Sequence, residues 1–306
     1  MTSAKRTAVC CLSSLNLEKY EEWKDTTIVE DLIRYLDNVL EYFIRLAPKE
    51  LKRAVHSASK ERALGLGTLG FHSLLQSKMI PFESRDAVSL NYKIFSEIEK
   101  RAITSSKQLA KERGEAPDCE GSGMRGSNLL AIAPNASSST FVGASPSIEP
   151  WASNAFLSTG RAGASLVVNK WLDKLLTEKG MNTKDVKDSI IMNDGSVQHL
   201  DFLSDEEKSV FRTAREIDQR WVIEHVAIRQ PFVCQAQSCN IWAPKNCTKQ
   251  YMADLHLYAW SRGLKTLYYC RAPEAQKTYL NNVETNQPLN HVKVDFNIEE
   301  CLSCHG

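Results

Sequence analysis

Two adjacent tyrosines, Tyr268 and Tyr269, are the residues whose placement most directly suggests chemistry. They follow an apolar-periodic run over 251–260, which predicts a helix that ends at Gly263. The aliphatic and aromatic residues after that glycine favour a buried strand. On a regular strand two neighbouring rings point to opposite faces, which gives one core ring and one ring at the rim. The functional interpretation is that both phenols relay an electron and a proton.

Three other stretches carry reactive or phosphate-binding side chains. Cys10 and Cys11 open the sequence CCLSSLNL, PNASSST occupies 134–140, and the chain ends in CLSCHG with Cys301 and Cys304. Serine hydroxyls and backbone N–H groups can surround a diphosphate where they open a helix, although a serine-rich loop is more often a solvated turn. A terminal dithiol can exchange with a disulfide, and with His305 it also suits half of a zinc site.

In identity and order these four segments resemble the large subunit of class I ribonucleotide reductase. The resemblance covers nearly the whole chain but only the C-terminal portion of that subunit. It implies an α/β fold, namely the C-terminal part of the reductase catalytic barrel, helix-rich, over residues 1–270. A polar segment and a flexible, redox-active tail are expected over 271–306.

The resemblance also implies roles for individual residues. Cys10 is expected to be a redox thiol that helps to reduce the ribose 2′-carbon, and Cys11 is expected to be structural. Tyr268 and Tyr269 carry the oxidising equivalent, and Cys301 with Cys304 renews the active-site thiols at the expense of thioredoxin or glutaredoxin. The loop expected to hold the substrate's diphosphate comprises Pro134, Asn135, Ala136, Ser137 and Ser138.

The family's Asn-x-Cys-x-Glu loop, with its radical-bearing cysteine and acid–base glutamate, does not occur in these 306 residues. The resemblance therefore implies the C-terminal piece of a split large subunit, or a truncated one. It also implies an N-terminal large-subunit fragment as a partner, and a small subunit whose di-iron type centre supplies the radical. No metal or other cofactor is expected on this chain. A cobalamin-dependent relative would share the cysteines and the serine loop, but a cofactor bound in the site needs no tyrosine relay.

The implied function is aerobic reduction of ribonucleoside diphosphates to deoxyribonucleotides for DNA synthesis. The alternative from another class is a non-catalytic redox or assembly scaffold derived from a reductase fragment. Exchange of either tyrosine for phenylalanine distinguishes the two, because only a relay needs the phenols.

Composition bounds the other possibilities. With 38 basic and 37 acidic residues the formal net charge is +1. Such a chain has no net electrostatic field that would attract a nucleic-acid polymer or an anionic membrane. No apolar run approaches the ~18 residues of a membrane span, so a cytoplasmic protein is expected. In a reducing compartment nine cysteines do not form a disulfide framework. Those outside the four segments are predicted to be buried thiols: Cys119, Cys234, Cys239, Cys247 and Cys270.

The glycines at 65, 67 and 70 match the G-x-G-x-x-G spacing of dinucleotide-binding loops. That fingerprint needs a strand in front of it, and charged residues precede these glycines, so we interpret them as allowing close approach of neighbouring elements. Capping boxes at Thr27-x-x-Glu30 and Ser204-x-x-Glu207 predict helices to 43 and 222. A further helix is predicted over 91–113, and strands over 129–133, 166–168 and 232–242.

Overall fold

The computed structural model describes residues 2–160, 163–244 and 247–271. The predicted tail with Cys301 and Cys304 lies outside these ranges. Within them the α-helices are α1 (Tyr20–Trp23), α2 (Ile28–Leu46), α3 (Lys52–Glu61), α4 (Phe71–Ser77), α5 (Arg85–Arg113), α6 (Ala136–Val142), α7 (Lys170–Glu178), α8 (Lys184–Met192), α9 (Asp205–Val210), α10 (Gln219–Arg229) and α11 (Lys249–Ser261). The strands are β1 (Cys11–Asn16), β2 (Leu64–Leu69), β3 (Ala155–Gly160), β4 (Gly163–Val168), β5 (Ile241–Trp242) and β6 (Cys270–Arg271). No helix in the described ranges is both long and apolar enough to cross a membrane.

Five extended segments lie side by side in parallel and form the layer that carries the site. β1 pairs with β2, and β5 pairs with β6. Single parallel bridges, Leu66 to Leu130 and Ile132 to Gln237, join the two pairs through the segments 129–132 and 235–240. Helices connect successive segments, as parallel pairing requires. The predicted α/β fold, part of a barrel and rich in helices, is confirmed.

The helices α2 and α5 cover one side of this layer. On α2 the buried residues recur every three or four positions, at Val29, Ile33, Leu36 and Leu40, which is the spacing of a core-facing helical stripe. They share one apolar cluster with residues of α5 and with Leu15 and Leu66 of the strands. The core therefore lies behind the sheet, and the other side of the sheet is left for the site.

A second, smaller core belongs to the hairpin β3–β4 and the helices α7 to α9. The two strands are antiparallel, with Ala155 opposite Val168. Leu172, Ile190 and Phe211 are fully buried in this cluster. This part of the fold stands apart from the sheet segments that carry the predicted site residues.

A buried carboxylate connects three helical segments next to the strands. Asp37 of α2 accepts hydrogen bonds from Arg62 at 2.7 Å, Arg113 at 2.7 Å and Arg125 at 3.2 Å. Burial alone would raise the pKa of Asp37, but these arginines hold it below its ordinary value. Arg62 has a φ of +45°, so the chain turns sharply here from α3 into β2.

Four predicted local features are wrong. Thr27 precedes α2 without capping it, because its hydroxyl donates to Asp31 instead of accepting a backbone N–H. The capping box at Ser204 is confirmed, but its helix ends at Val210, where the carbonyl of Phe211 accepts a hydrogen bond from the Asn154 amide. Residues 264–269 form no strand, and the strand that follows them, β6, comprises only Cys270–Arg271 and is exposed. The strand predicted over 232–242 is confined to Ile241–Trp242.

The glycine interpretation is confirmed. Gly65 and Gly67 lie inside β2 rather than in a turn after a strand, so the segment cannot form a dinucleotide-binding loop. A Cβ at Gly67 would come within 2.3 Å of the Ala131 carbonyl oxygen. These glycines therefore let the 129–132 segment approach β2 closely.

The prediction of buried thiols holds for Cys239 but is wrong for Cys234 and Cys270, which are exposed, while Cys119 and Cys247 are half-buried. The reason is visible at Cys234, whose sulfur is held by backbone groups at the surface rather than by core packing. It accepts from the N–H of Leu129 at 3.2 Å and donates to the carbonyl of Leu130 at 3.3 Å.

Candidate active site

Cys10 immediately precedes β1 and lies on the sheet face opposite the core. Leu15 points into the core and Cys11 packs against it, whereas Cys10 and Leu12 are exposed, as alternation along a strand requires. The Cys10 sulfur lies 2.8 Å from the position that a Cβ of Gly65 would occupy. We call the face that carries Cys10, Leu12 and Ser14 the open face.

The surroundings of Cys10 keep its thiol protonated. Partial burial raises the pKa of Cys10 to about 11, and a hydrogen bond with the Gln235 side chain opposes that rise. At neutral pH the side chain is therefore a thiol, the form that can give up a hydrogen. Gln235 was not singled out by the sequence, because its proximity to Cys10 depends on the order of the parallel segments.

The serine loop follows the 129–132 segment and opens α6. Asn135 has a φ of +54° and is the residue before the helix, which begins at Ala136. The hydroxyls of Ser139 and Thr140 donate back to the carbonyl of Ala136, and the hydroxyl of Ser138 donates to the side-chain oxygen of Asn135 at 3.3 Å. Ser137 and Ser138 are both exposed. The helix start that a phosphate site requires is present, and two exposed hydroxyls flank it.

Asn135 links this loop to the open face. Its side-chain oxygen accepts from the Ser14 hydroxyl at 3.1 Å, and its amide donates to the carbonyls of Thr68 at 3.2 Å and Ala133 at 3.0 Å. Cys10 and Ser14 are four residues apart on one strand, so Cys10 lies roughly 13 Å from the loop. Both groups therefore belong to the same face of the sheet.

The two tyrosines lie against each other rather than on opposite faces. Their ring centres are 4.2 Å apart with an interplanar angle of 51°, and each residue is about 40% exposed (Tyr268 41%, Tyr269 40%). The segment in front of them is tied to the neighbourhood of Cys10, because the Lys265 ammonium donates to the carbonyls of Cys234 at 2.6 Å and Gln235 at 3.3 Å.

Buried polar groups surround the tyrosine pair. The backbone N–H of Tyr269 donates to the side-chain oxygen of Asn240 at 3.0 Å, and the Asn240 amide donates to Glu149 at 2.6 Å. The Arg271 guanidinium lies 5.4 Å from the centre of the Trp242 ring and 6.0 Å from that of Tyr269. We use the name tyrosine corner for the group Tyr268, Tyr269, Asn240, Glu149 and Arg271; it does not refer to the motif of that name in β-sandwiches.

Glu149 is the carboxyl group of the tyrosine corner, and its pKa is shifted. Burial raises its pKa to about 7, while the hydrogen bond from Asn240 and the charge of Arg271 act in the opposite direction. Glu149 was not among the predicted site residues. Its buried contact with Asn240 joins residues 91 positions apart, so no local pattern could have indicated it.

The described residues contain no group of histidine, cysteine, aspartate or glutamate side chains arranged to hold a metal ion.

The structure brings Cys10, the serine loop and the tyrosine pair onto one parallel layer. Cys301 and Cys304 lie outside the described ranges.

The fold and these residues define a class of protein: part of an α/β barrel that presents a thiol, a serine-lined helix start and a tyrosine pair. A model of the ribonucleotide reductase barrel domain matches residues 1–122 and 117–270. The chain is similar over its full length to a putative ribonucleoside-diphosphate reductase large subunit of Frog virus 3, with 44% identity and 53% of that protein covered. It is 43% identical to the large subunit of Invertebrate iridescent virus 6, covering 98% of this chain and 32% of the viral protein.

Among solved structures, the Actinobacillus ureae class Id ribonucleotide reductase alpha subunit superposes with a TM-score of 0.84 and 42% identity, over 90% of this chain and 52% of that one. The chain therefore belongs to the ribonucleotide reductase large-subunit family and carries part of the family's barrel domain. It spans 53% or less of the two viral relatives.

Proposed function

We propose that this chain supplies the C-terminal part of the catalytic barrel of an aerobic ribonucleoside-diphosphate reductase. The observation that carries the proposal is the convergence of Cys10, the serine loop and the tyrosine pair on one layer of the barrel. Family membership supports the reaction class, and the resemblance supports the roles of these residues.

In the proposed reaction the ribose 2′-hydroxyl leaves as water and a hydrogen takes its place. The two electrons come from Cys10 and a second thiol, which become a disulfide. Because the pKa of Cys10 is about 11, this side chain holds its proton until the substrate takes it. Ser137, Ser138 and the start of α6 would bind the diphosphate, and Pro134, Asn135 and Ala136 would shape that loop.

Two further polypeptides complete the proposed enzyme. An N-terminal large-subunit fragment would contribute the thiyl-forming cysteine, the acid–base glutamate and the thiol partner of Cys10. The small subunit's metal centre would supply the oxidising equivalent, which Tyr268 and Tyr269 would pass inwards. Cys301 and Cys304, with thioredoxin or glutaredoxin, would then reduce the disulfide.

Reconstitution tests this assignment. The 306-residue chain is combined with a reductase N-terminal fragment, a small subunit and a ribonucleoside diphosphate, and deoxyribonucleotide is measured. Turnover that requires all components is expected; turnover without the N-terminal fragment would contradict the split arrangement.

The tyrosine variants separate catalysis from scaffolding. Tyr268→Phe and Tyr269→Phe are each expected to abolish turnover while the complex still assembles. If both variants turn over like the parent complex, the tyrosine relay is refuted; if activity is lost only where assembly fails, the scaffold function is favoured.

A further inference from the structure

The contact between the two tyrosine rings depends on an irregularity in the strand pairing. In a regular parallel pair, one residue of the second strand makes two hydrogen bonds to the first strand. Its carbonyl accepts from the N–H of residue 241, and its own N–H donates to the carbonyl of residue 239. The carbonyl of Tyr269 does accept from Ile241 at 2.8 Å, but the carbonyl of Cys239 is occupied by the N–H of Tyr268, also at 2.8 Å.

Two residues, Tyr268 and Tyr269, therefore lie opposite the single residue Asn240. This is the arrangement of a β-bulge, which redirects a side chain and leaves one backbone N–H without a backbone partner. Side chains that would alternate now lie on the same side, which accounts for the 4.2 Å between the ring centres.

The N–H displaced by the bulge is the one on Tyr269, and the Asn240 side chain accepts it at 3.0 Å. The backbone N–H of Tyr269 can only donate, so the oxygen of the Asn240 amide faces Tyr269 and its NH2 group faces Glu149, whose Oε1 accepts from it. An acceptor oxygen at Glu149 therefore favours the orientation of the amide in which Asn240 accepts from Tyr269. Asn240 and Glu149 are both buried, with 2% and 4% of their surfaces exposed.

We propose that Asn240, oriented by Glu149, is a positioning residue that holds this bulge and thereby keeps the two phenols in contact for the relay. The inference rests on the proposed function for its catalytic meaning, whereas its geometric part concerns this chain alone. An unsatisfied buried N–H is costly, so without the Asn240 oxygen the pairing is expected to revert towards the regular register and the rings to separate.

The first variant is Asn240→Leu, which replaces the amide, and with it the acceptor oxygen, by an apolar side chain of similar size. A displacement of about 1 Å in reacting groups can cost about 100-fold in rate, so kcat of the complete complex is expected to fall by that order with KM unchanged. Asn154→Leu is the matched control, because Asn154 is another buried amide that bonds backbone carbonyls, in the second core. It is expected to lower stability without changing the ring contact.

A swapped pair separates positioning from folding. Asn240→Asp alone places two carboxyl groups against each other and is expected to lower kcat. Adding Glu149→Gln restores a donor facing an acceptor, since the glutamine amide donates to the introduced aspartate, which still accepts from Tyr269. The double variant is expected to regain most of the parent kcat, and Glu149→Gln alone, which keeps the acceptor for Asn240, is expected to stay within about threefold of it.

Contacts between the two tyrosine rings are measured by NMR on the chain alone, alongside kcat on the complete complex. Loss of ring contact and of kcat in Asn240→Leu, with recovery in the swapped pair, supports the proposal. Retained ring contact in a folded Asn240→Leu chain overturns it, as does separation of the rings with kcat unchanged or failure of a folded swapped pair to recover. If the parent complex itself shows no turnover, the proposed function fails, and the ring contact still decides whether Asn240 holds the bulge.

Discussion

Around Cys10 the open face carries small side chains and exposed groups, whereas around Tyr269 the tyrosine corner is filled with buried hydrogen-bonded partners. Gly65 leaves room beneath the Cys10 sulfur, while Asn240 and Glu149 fix the backbone of Tyr269. Groups of this chain therefore fix the backbone at the tyrosine pair, whereas the surroundings of Cys10 stay open. Under the proposed function, this difference corresponds to a relay positioned within this chain and a reducing site that further groups would complete.

The largest effect is expected at Cys10. Cys10→Ser removes one of the two electron-donating thiols, so turnover of the complete complex is expected to fall to background while substrate still binds. Deoxyribonucleotide formation and substrate binding are measured in parallel. Cys11→Ser is the matched control and is expected to keep turnover; equal losses in both variants would contradict the assignment of Cys10.

Gly65→Ala probes the space on the open face. The added methyl would lie 2.8 Å from the Cys10 sulfur and 2.5 Å from a methyl of Leu12, so both flexible side chains must move. We expect kcat to fall about tenfold, while the free energy of unfolding falls by only about 1 kcal/mol.

The control for Gly65→Ala adds Leu12→Ala. This second change relieves the contact with Leu12 and leaves the contact with the thiol. Full recovery of kcat in the double variant would show that the position of the Cys10 thiol is unimportant.

The local helices were predictable from the sequence because their signals are short-range. The apolar spacing of α2, the capping box at Ser204 and the glycine that ends α5 each involve residues within a few turns of one another. The end of α9 was not predictable in this way, because it depends on Asn154 reaching the carbonyl of Phe211.

The same limit applies to the site. Cys10, the serine loop and the tyrosine pair were identified by the order of motifs, but the stacking of the rings depends on Asn240 and Glu149. Adjacent positions on a regular strand predict separated rings, and only the bulge reverses that outcome.

A smaller effect is expected at the serine loop. Ser137→Ala with Ser138→Ala removes two exposed hydroxyls near the start of α6. Each lost hydrogen bond to the substrate is worth about 1 kcal/mol, so KM for the ribonucleoside diphosphate is expected to rise several-fold to tenfold or more with kcat retained. Thr140→Ala is the control, because Thr140 lies one turn beyond the start of α6 and its hydroxyl donates to the carbonyl of Ala136; a matching rise in KM there would contradict the assignment.

The smallest effect concerns stability and pH. The pKa of Glu149 is raised from 4.5 to about 7 in the folded chain, so the unfolded chain loses this proton at lower pH. The contribution of Glu149 to stability is therefore greatest below about pH 4.5 and is lost as the pH rises through 7, and this loss amounts to at most about 3 kcal/mol. The groups that face Glu149 are Asn240, Trp242, Arg271 and Cys239. Burial keeps the Cys239 thiol neutral by raising its pKa to about 12.

Denaturant unfolding between pH 5 and 8 measures this dependence. Glu149→Gln cannot titrate, so its stability is expected to decrease less over that interval than that of the parent chain. Identical pH profiles for the two chains would show that Glu149 is not a buried, weakly acidic group in the tyrosine corner.

The tyrosine corner is tested most directly by trapping the oxidising equivalent there. A 3-aminotyrosine placed at position 269, in a complex with the N-terminal fragment and the small subunit, is examined by electron paramagnetic resonance after a ribonucleoside diphosphate is added. We expect an aminotyrosyl radical signal that needs the small subunit and disappears in Tyr268→Phe. A complex whose parent form turns over but whose labelled form shows no such signal would contradict a relay through Tyr269.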